Sequence, residues 1–245
     1  MSFKKLLRLL FIVFILTVLS GSIAFYVLDK PLPKKIESEE ADQMAHRMLA
    51  ATHYEHWEKT GLVRWSFAHS HHFLWDRKRD FVQVEWNDAK VLLDTKKLSR
   101  SIAYQNDILV ENDTKSDLIN TAWEYFCNDS FWLCAHYKVF DEGTKRYLTD
   151  NDELMIQYES GGVTPGDSYV WQLDESSKPT SFQMWVQIIP IGGLKADWSA
   201  LTETETGAIL PLEHSFGPIS FSIDNIFTAT SVREVMNEDP FEALN

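Results

Sequence analysis

The sequence predicts an α+β fold: one large curved antiparallel sheet, an unclosed half-barrel covered by helices, behind a single N-terminal transmembrane helix. Three observations carry this. Apolar and polar residues alternate over many short segments after Gly61, the mark of strands with one covered face. Two segments instead show apolar residues at helical spacing. No alternation of strand and helix of the kind that builds parallel sheets is present, which leaves an antiparallel sheet packed on helices.

The first element is "LLFIVFILTVLSGSIAFYVL", residues 9–28, twenty residues without a charge behind Lys4, Lys5 and Arg8. About 20 apolar residues match the thickness a helix must cross, and the preceding basic residues favour a cytoplasmic N-terminus. The competing reading is a cleaved signal peptide ending near Ser22-Ile23-Ala24, although such apolar regions usually run to only about 7–15 residues. No cysteine follows for lipidation. Both readings export the remainder of the chain, and the longer segment favours an anchor in the inner (cytoplasmic) membrane with the folded domain on the periplasmic side.

"DKPLPKK" (29–35) reads as a stiff spacer, since its two prolines deny it helix. "ESEEADQMAHRMLAATHYEHWEKTG" (37–61) follows as a helix. Ser38 caps it, Glu39, Glu40 and Asp42 suit its positive end, and Gly61 stops it. Val63, Trp65 and Phe67 then alternate with polar residues, as do Val82, Val84 and Trp86, and Val91–Leu93 forms a third strand. A second helix spans Thr114–Cys127, with Leu118, Ile119, Ala122, Trp123 and Phe126 on one side and Thr114 with Asp117 as a capping box. Strands return after Lys145, around Leu154–Tyr158, Tyr169–Leu173, Phe182–Ile188 and Ile219–Asp224, separated by Gly- and Pro-rich turns. The acidic tail, 231–245, is expected to be loose. The chain thus divides into anchor and spacer (1–35), lead-in helix (36–60), sheet domain (61–230) and tail.

Charge excludes one class of partner. Residues 1–35 hold six of the 23 basic and one of the 36 acidic residues, leaving 17 against 35, a net of −18. Phosphates repel so acidic a domain, which argues against nucleic acid.

Chemistry-bearing motifs are sparse. Six of the eight histidines fall at 46, 53, 56, 69, 71 and 72. His46, His53 and His56 share one helical face, but "HYEH" is not a zincin pattern and no defined zinc spacing is met. "HSHH" (69–72) reads as a polar turn. No metal or other cofactor is expected. There is no nucleophile elbow, P-loop or dinucleotide fingerprint, and the sequence gives enzyme chemistry no foothold.

Cys127 and Cys134 bracket Phe131 and Trp132 in "FCNDSFWLCAHYKVFDEGT" (126–144). Export favours a disulfide between them, with two buried free thiols as the alternative. A redox role is excluded by the spacing, which lacks the geometry of exchange motifs.

The aromatic residues are the more suggestive excess: nine Trp and fifteen Phe. They form either a core or the wall of an apolar cavity between sheet and helices. Trp65, Phe67, Trp86, Trp171, Met184 and Trp185 are the candidate lining. The strand holding Phe182, Met184 and Trp185 is apolar on both sides, as expected only where both are covered.

"SFWLCAHYKVFDEGT" (130–144), "YESGGVTPGDSYVWQLDESSKPTSFQMWV" (158–186) and "TETGAILPLEHSF" (204–216) resemble the LolA/LolB-like periplasmic lipoprotein-carrier superfamily over roughly residues 61–226. The match rests on strand order and scattered residues: Lys138, Asp141 and Gly143 after the aromatic helix end, Thr164-Pro165-Gly166-Asp167 before a strand, then Leu173-Asp174 and Pro179. The resemblance implies an unclosed antiparallel barrel plugged by helices whose concave face holds acyl chains. The lipobox cysteine of the acceptor type is missing, and a tethered chain cannot shuttle between membranes. The expected function is therefore an anchored binding protein for a hydrophobic ligand. The alternatives are an envelope scaffold with a filled core and an acidic partner-binding face, or a lipid-modifying enzyme with a Ser, His or carboxylate cluster inside the cavity.

Overall fold

The computed structural model describes residues 28–111 and 113–245, and Leu10. The expected membrane helix, residues 9–28, lies almost wholly outside these. Among the described residues no helix is long and apolar enough to cross a membrane.

Thirteen strands form one antiparallel, unclosed sheet in the order β6-β5-β4-β3-β2-β1-β13-β12-β11-β10-β9-β8-β7. The first half comprises β1 (Leu62–Phe67), β2 (His71–Asp76), β3 (Phe81–Trp86), β4 (Ala89–Asp94), β5 (Ile102–Gln105) and β6 (Ile108–Val110). The second comprises β7 (Thr144–Leu148), β8 (Leu154–Tyr158), β9 (Ser168–Leu173), β10 (Pro179–Trp185), β11 (Leu194–Glu203), β12 (Ile209–Phe216) and β13 (Ile219–Ala229). Each half is a meander of hairpins, and β1 against β13 joins them, with Phe67 opposite Ile223 and Leu62 opposite Ala229. Because neighbours alternate in direction, the β1–β2, β3–β4, β8–β9, β10–β11 and β12–β13 connections share one end of the sheet.

Helix α1 (Glu39–Ala51) is capped by Ser38, whose Oγ accepts the Glu40 N–H at 3.1 Å, and it buries Ala41, Ala45, Met48 and Leu49. The single helix expected over 37–61 is broken. His53 takes a left-handed conformation (φ 59°) and α2 (Tyr54–Lys59) starts anew. His53 Nδ1 pairs with the Gly207 carbonyl oxygen at 3.0 Å, which offsets part of the cost of that conformation.

Helix α3 (Asp113–Cys134) runs a full seven residues beyond its expected end. Its buried positions include Ile119, Ala122, Phe126, Asp129, Leu133 and Cys134. It lies on the inner face of the sheet, touching β3, β4 and β5 on one side and β12 on the other. The main core fills the space beneath it: Trp65, Phe73, Val82, Val84 and Val91 from the first half, and Leu154, Ile156, Trp171, Phe182 and Met184 from the second.

The outer face carries a second core. Leu62, Leu74, Phe81, Leu92 and Ala229 are covered by Val232, Phe241 and Leu244. The tail expected to be loose is thus docked: Phe241 is fully buried, and Arg79 holds Asp239 by two hydrogen bonds of 2.6 and 2.8 Å. An acidic segment hides its anchor because three apolar residues, Val232, Phe241 and Leu244, suffice to cover the outer-face side chains of β1–β4.

Candidate functional site

The six predicted lining residues separate into three groups. Trp65 (β1), Trp171 (β9) and Met184 (β10) are buried on the inner face. Phe67 and Trp86 are half-buried at the ends of β1 and β3, where they pack against the same core. Trp185 faces the other way. Its Nε1–H donates to the Lys30 carbonyl at 2.8 Å, and its indole lies against Gly192 tightly enough that a Cβ there would meet it at 2.5 Å. Trp185 therefore covers the outer face rather than a cavity. The expectation that β10 is apolar and covered on both sides is corrected: besides Trp185, packed on the spacer at Lys30, its remaining positions off the inner face include exposed Thr180 and half-buried Gln183, and Ile188 lies beyond the strand's end, 70% exposed.

The expected disulfide is corrected. Cys127 and Cys134 are free thiols. They stand on one continuous helix two turns apart, about 10 Å along the axis, beyond the reach of about 7 Å between Cα atoms. Burial pushes the Cys127 thiol up to about 12 and the Cys134 thiol up to about 11, so neither is a thiolate at neutral pH. The Cys134 Sγ–H donates to the Ser130 carbonyl at 3.1 Å.

Histidines are partly used for structure. His56 Nδ1 pairs with the Thr206 carbonyl at 2.9 Å and His46 Nδ1 with that of Asp42 at 2.8 Å. The His53 and His56 bonds tie the start of α2 to the 206–207 segment, while the His46 bond stays within α1. Among the described residues no group of three His, Cys, Asp or Glu side chains is placed to hold a metal ion.

"HSHH" is not wholly a turn, since His71 and His72 begin β2. His71 Nδ1 lies 2.7 Å from Oδ2 of Asp129, a carboxylate 2% exposed. Asn128 donates to the other oxygen at 2.8 Å. The His71 ring stacks on Tyr125 at 3.8 Å, Trp86 meets Tyr125 edge-on at 5.4 Å, and the Phe67 ring lies nearly parallel to His71 at 6.5 Å. Desolvation holds the Asp129 carboxyl above its usual range, against the lowering effect of His71 and Asn128. The sequence carried a signal for this pair. Asp129 falls on the apolar stripe of α3 with Ala122, Phe126 and Leu133, and a carboxylate on a buried stripe requires a partner.

Deeper on the inner face lies an aromatic cluster the sequence reading did not group. Trp198 (β11) contacts Trp171 at 4.9 Å and His214 (β12) at 5.0 Å, while His136 meets Trp198 at 5.3 Å. The indole N–H groups of Trp65, Trp171 and Trp198 find no acceptor among the described residues. The His214 nitrogens face the Trp132 and Asp197 carbonyls without reaching hydrogen-bond geometry. Desolvation holds His214 down to about 4 and His136 to about 3, so both are neutral. Buried donors left unpaired are uncommon, and three indoles on one apolar face present donors to whatever acceptor enters.

Two open cavities lie elsewhere among the described residues. One, about 510 Å³, lies between α1, α2 and Phe140 and is walled by Leu49, Ala50 and Tyr54 with His46, His53 and Glu55. The other, about 560 Å³, is a polar groove along β11–β13 with Ser199, Glu213 and Ser222. None of the six predicted residues lines either cavity.

No protein-family model and no curated protein sequence matches this chain.

Proposed function

We propose that this chain is an anchored, periplasmic binding protein that holds the acyl chain of a lipid-like ligand between its sheet and α3, in the manner of the LolA/LolB-like carriers it resembles. The observation that supports this most is the set of three buried, acceptor-free indole N–H groups of Trp65, Trp171 and Trp198 on a face whose other members are apolar save the neutral rings of His136 and His214. An acyl ester combines apolar chains with acceptor-only carbonyl oxygens, the chemistry that such a face lacks. Phe67, Trp86 and Tyr125 then form the mouth, half-buried and grouped around His71 at one end of the sheet. The reading requires α3 to swing outward as the ligand enters. No cofactor takes part and no catalytic residue is assigned.

The filled inner face favours a second reading, a scaffold that recruits a protein partner through its acidic surface. The two separate in one experiment. The full chain, expressed in an exporting host, is purified in mild detergent and extracted into organic solvent for mass spectrometry. A lipid or fatty acid recovered near one equivalent supports the binding reading and names the ligand class. Recovery of no lipid, together with failure to take up a fluorescent fatty acid, removes it and leaves the scaffold, whose partner binding must then weaken with salt.

A further inference from the structure

The exposed apolar side chains on the second half of the sheet are not scattered. Val163 (46% exposed) sits in the β8–β9 connection, Ile188 (70%) in β10–β11, and Ile219 (52%) starts β13 just after the β12–β13 turn. Antiparallel order places all three connections at the same end of the sheet. Two of them are held together: the Gln187 N–H donates to Asp167 Oδ1 at 3.0 Å, and its side-chain amide donates to the Pro165 carbonyl.

The N-terminal chain leaves from this end. The Lys30 N–H donates to the Gly192 carbonyl at 3.0 Å, and the Gly192 N–H to Asp29 Oδ1 at 2.8 Å, so the β10–β11 connection grips the residues directly after the uncharged 9–28 segment. Leu28, 51% exposed, is the last residue of that segment. Gly193 takes φ 72° with Lys30 packed over it, a site where a side chain would meet Lys30 at 2.8 Å. The grip is thus built by Gly192-Gly193 and Trp185, which explains a pair of glycines and a tryptophan otherwise without a task.

We infer that this rim is the membrane-facing end of the domain, with Val163, Ile188 and Ile219 dipping into the interface of a lipid bilayer around the exit point of the N-terminal segment. The inference rests on the anchored reading above. Exposed apolar residues gathered on one rim mark an interaction surface. The occupant follows from where the chain goes: a segment long enough to span hydrocarbon begins within one residue of the grip, which holds the rim at bilayer height. The net charge of −18 beyond residue 35 argues for zwitterionic rather than anionic lipid. The same end carries Phe67, Trp86 and His71, so the mouth of the proposed binding face opens toward the surface from which a lipid would come.

The test uses the full chain in phosphatidylcholine vesicles containing a lipid with a nitroxide near its headgroup. An environment-sensitive fluorophore is placed at Ile188→Cys, at Ile219→Cys, or at Glu175→Cys in the β9–β10 turn of the opposite end, with the unsubstituted chain giving the background from Cys127. The rim positions should be quenched several-fold more than Glu175→Cys. Equal quenching in chains that float with the vesicles overturns the rim while leaving the anchor standing. Chains that do not float overturn both. Rim labels that the lipid never quenches, but that a protein extract shields from aqueous iodide, assign the surface to a protein and overturn the bilayer. Fatty-acid uptake in the same vesicles is read separately, so the binding reading can fail while the rim stands.

Discussion

His71 Nδ1 and Asp129 Oδ2 meet at 2.7 Å across the gap between β2 and α3, and the carboxylate they share is 2% exposed while the histidine is 19% exposed. Among the described residues this is the one side-chain hydrogen bond between α3 and β2 that involves a carboxylate. The pair sets both where the helix lies and what the half-buried aromatics Phe67, Trp86 and Tyr125 surround.

Removing one partner is therefore costly. His71→Ala leaves a buried carboxylate with only Asn128 beside it, and a hydrogen bond to a charged group of this kind is worth about 1.5–3 kcal/mol. We expect a loss of about 2 kcal/mol at pH 7. The Asp129 carboxyl is held above its unfolded value by desolvation, so its protonation is favoured in the folded state and its penalty vanishes in acid. The deficit of His71→Ala relative to the parent should accordingly shrink as pH falls from 7 to 3.5. Urea denaturation at pH 7 and at pH 3.5 reads both numbers, and a deficit independent of pH would remove the account of a bond to a charged carboxylate.

A second pH dependence runs through His136 and His214. Both titrate lower when folded than unfolded, at about 3 and about 4, because burial disfavours the charged ring. The unfolded chain takes up these protons first, so stability falls as pH drops from about 6.5 toward 4, by up to about 1.4 kcal/mol per pH unit per histidine. His214→Phe should flatten that slope by one proton. Its ring would sit among Trp132, Trp198 and Phe221 and leave no nitrogen unpaired, so the variant should gain on the parent between pH 7.5 and pH 5. An unchanged slope would mean that His214 is charged or paired in the folded protein.

Much of the architecture was legible because its period was clean. The alternation in β1, β3, β8, β9 and β13 and the stripes of α1 and α3 each follow from a face buried against the core. The absence of βαβ alternation fixed the antiparallel sheet. Other elements were hidden for identifiable reasons. His71 and His72 open β2 but carry polar side chains that look like a turn. α1 and α2 share one stripe, and only the left-handed His53 separates them. Trp185 reads as a second apolar face of its strand, yet what it packs on depends on the spacer's path, a long-range fact. The His71–Asp129 pair joins residues 58 apart, so only its buried half, a carboxylate on an apolar stripe, left a trace.

The thiols give a direct chemical check. With Cys127 and Cys134 two turns apart on α3 and both pushed upward by burial, neither a disulfide nor rapid alkylation is expected, even after passage through an oxidising compartment. Intact mass of the protein from an exporting host should show both thiol hydrogens retained. Iodoacetamide should leave fully buried Cys134 untouched in buffer and modify both residues in guanidinium. A native mass showing the bridge would require α3 to end before Cys134.

The docked tail makes the sharpest stability prediction, since the sequence suggested it was loose. Phe241 is fully buried on the outer face, 5.9 Å from the ring of Phe81 and below the Arg79 guanidinium at 5.4 Å. Phe→Ala at buried sites costs about 3–5 kcal/mol. Here the tail itself can peel away, which caps the loss at the free energy of docking, so about 3 kcal/mol is expected for Phe241→Ala. Asp239→Ala should cost less, about 1 kcal/mol, because Asp239 and its partner Arg79 are each about a third exposed and solvent screens the pair. Chemical denaturation of the two variants and of a chain stopped after Thr230 orders them. Truncation should match or exceed Phe241→Ala and uncover Leu62, Leu74 and Phe81 to a hydrophobic dye. If Phe241→Ala and the truncation both leave the midpoint unchanged, the outer core contributes nothing and β1–β4 stand on the inner face alone.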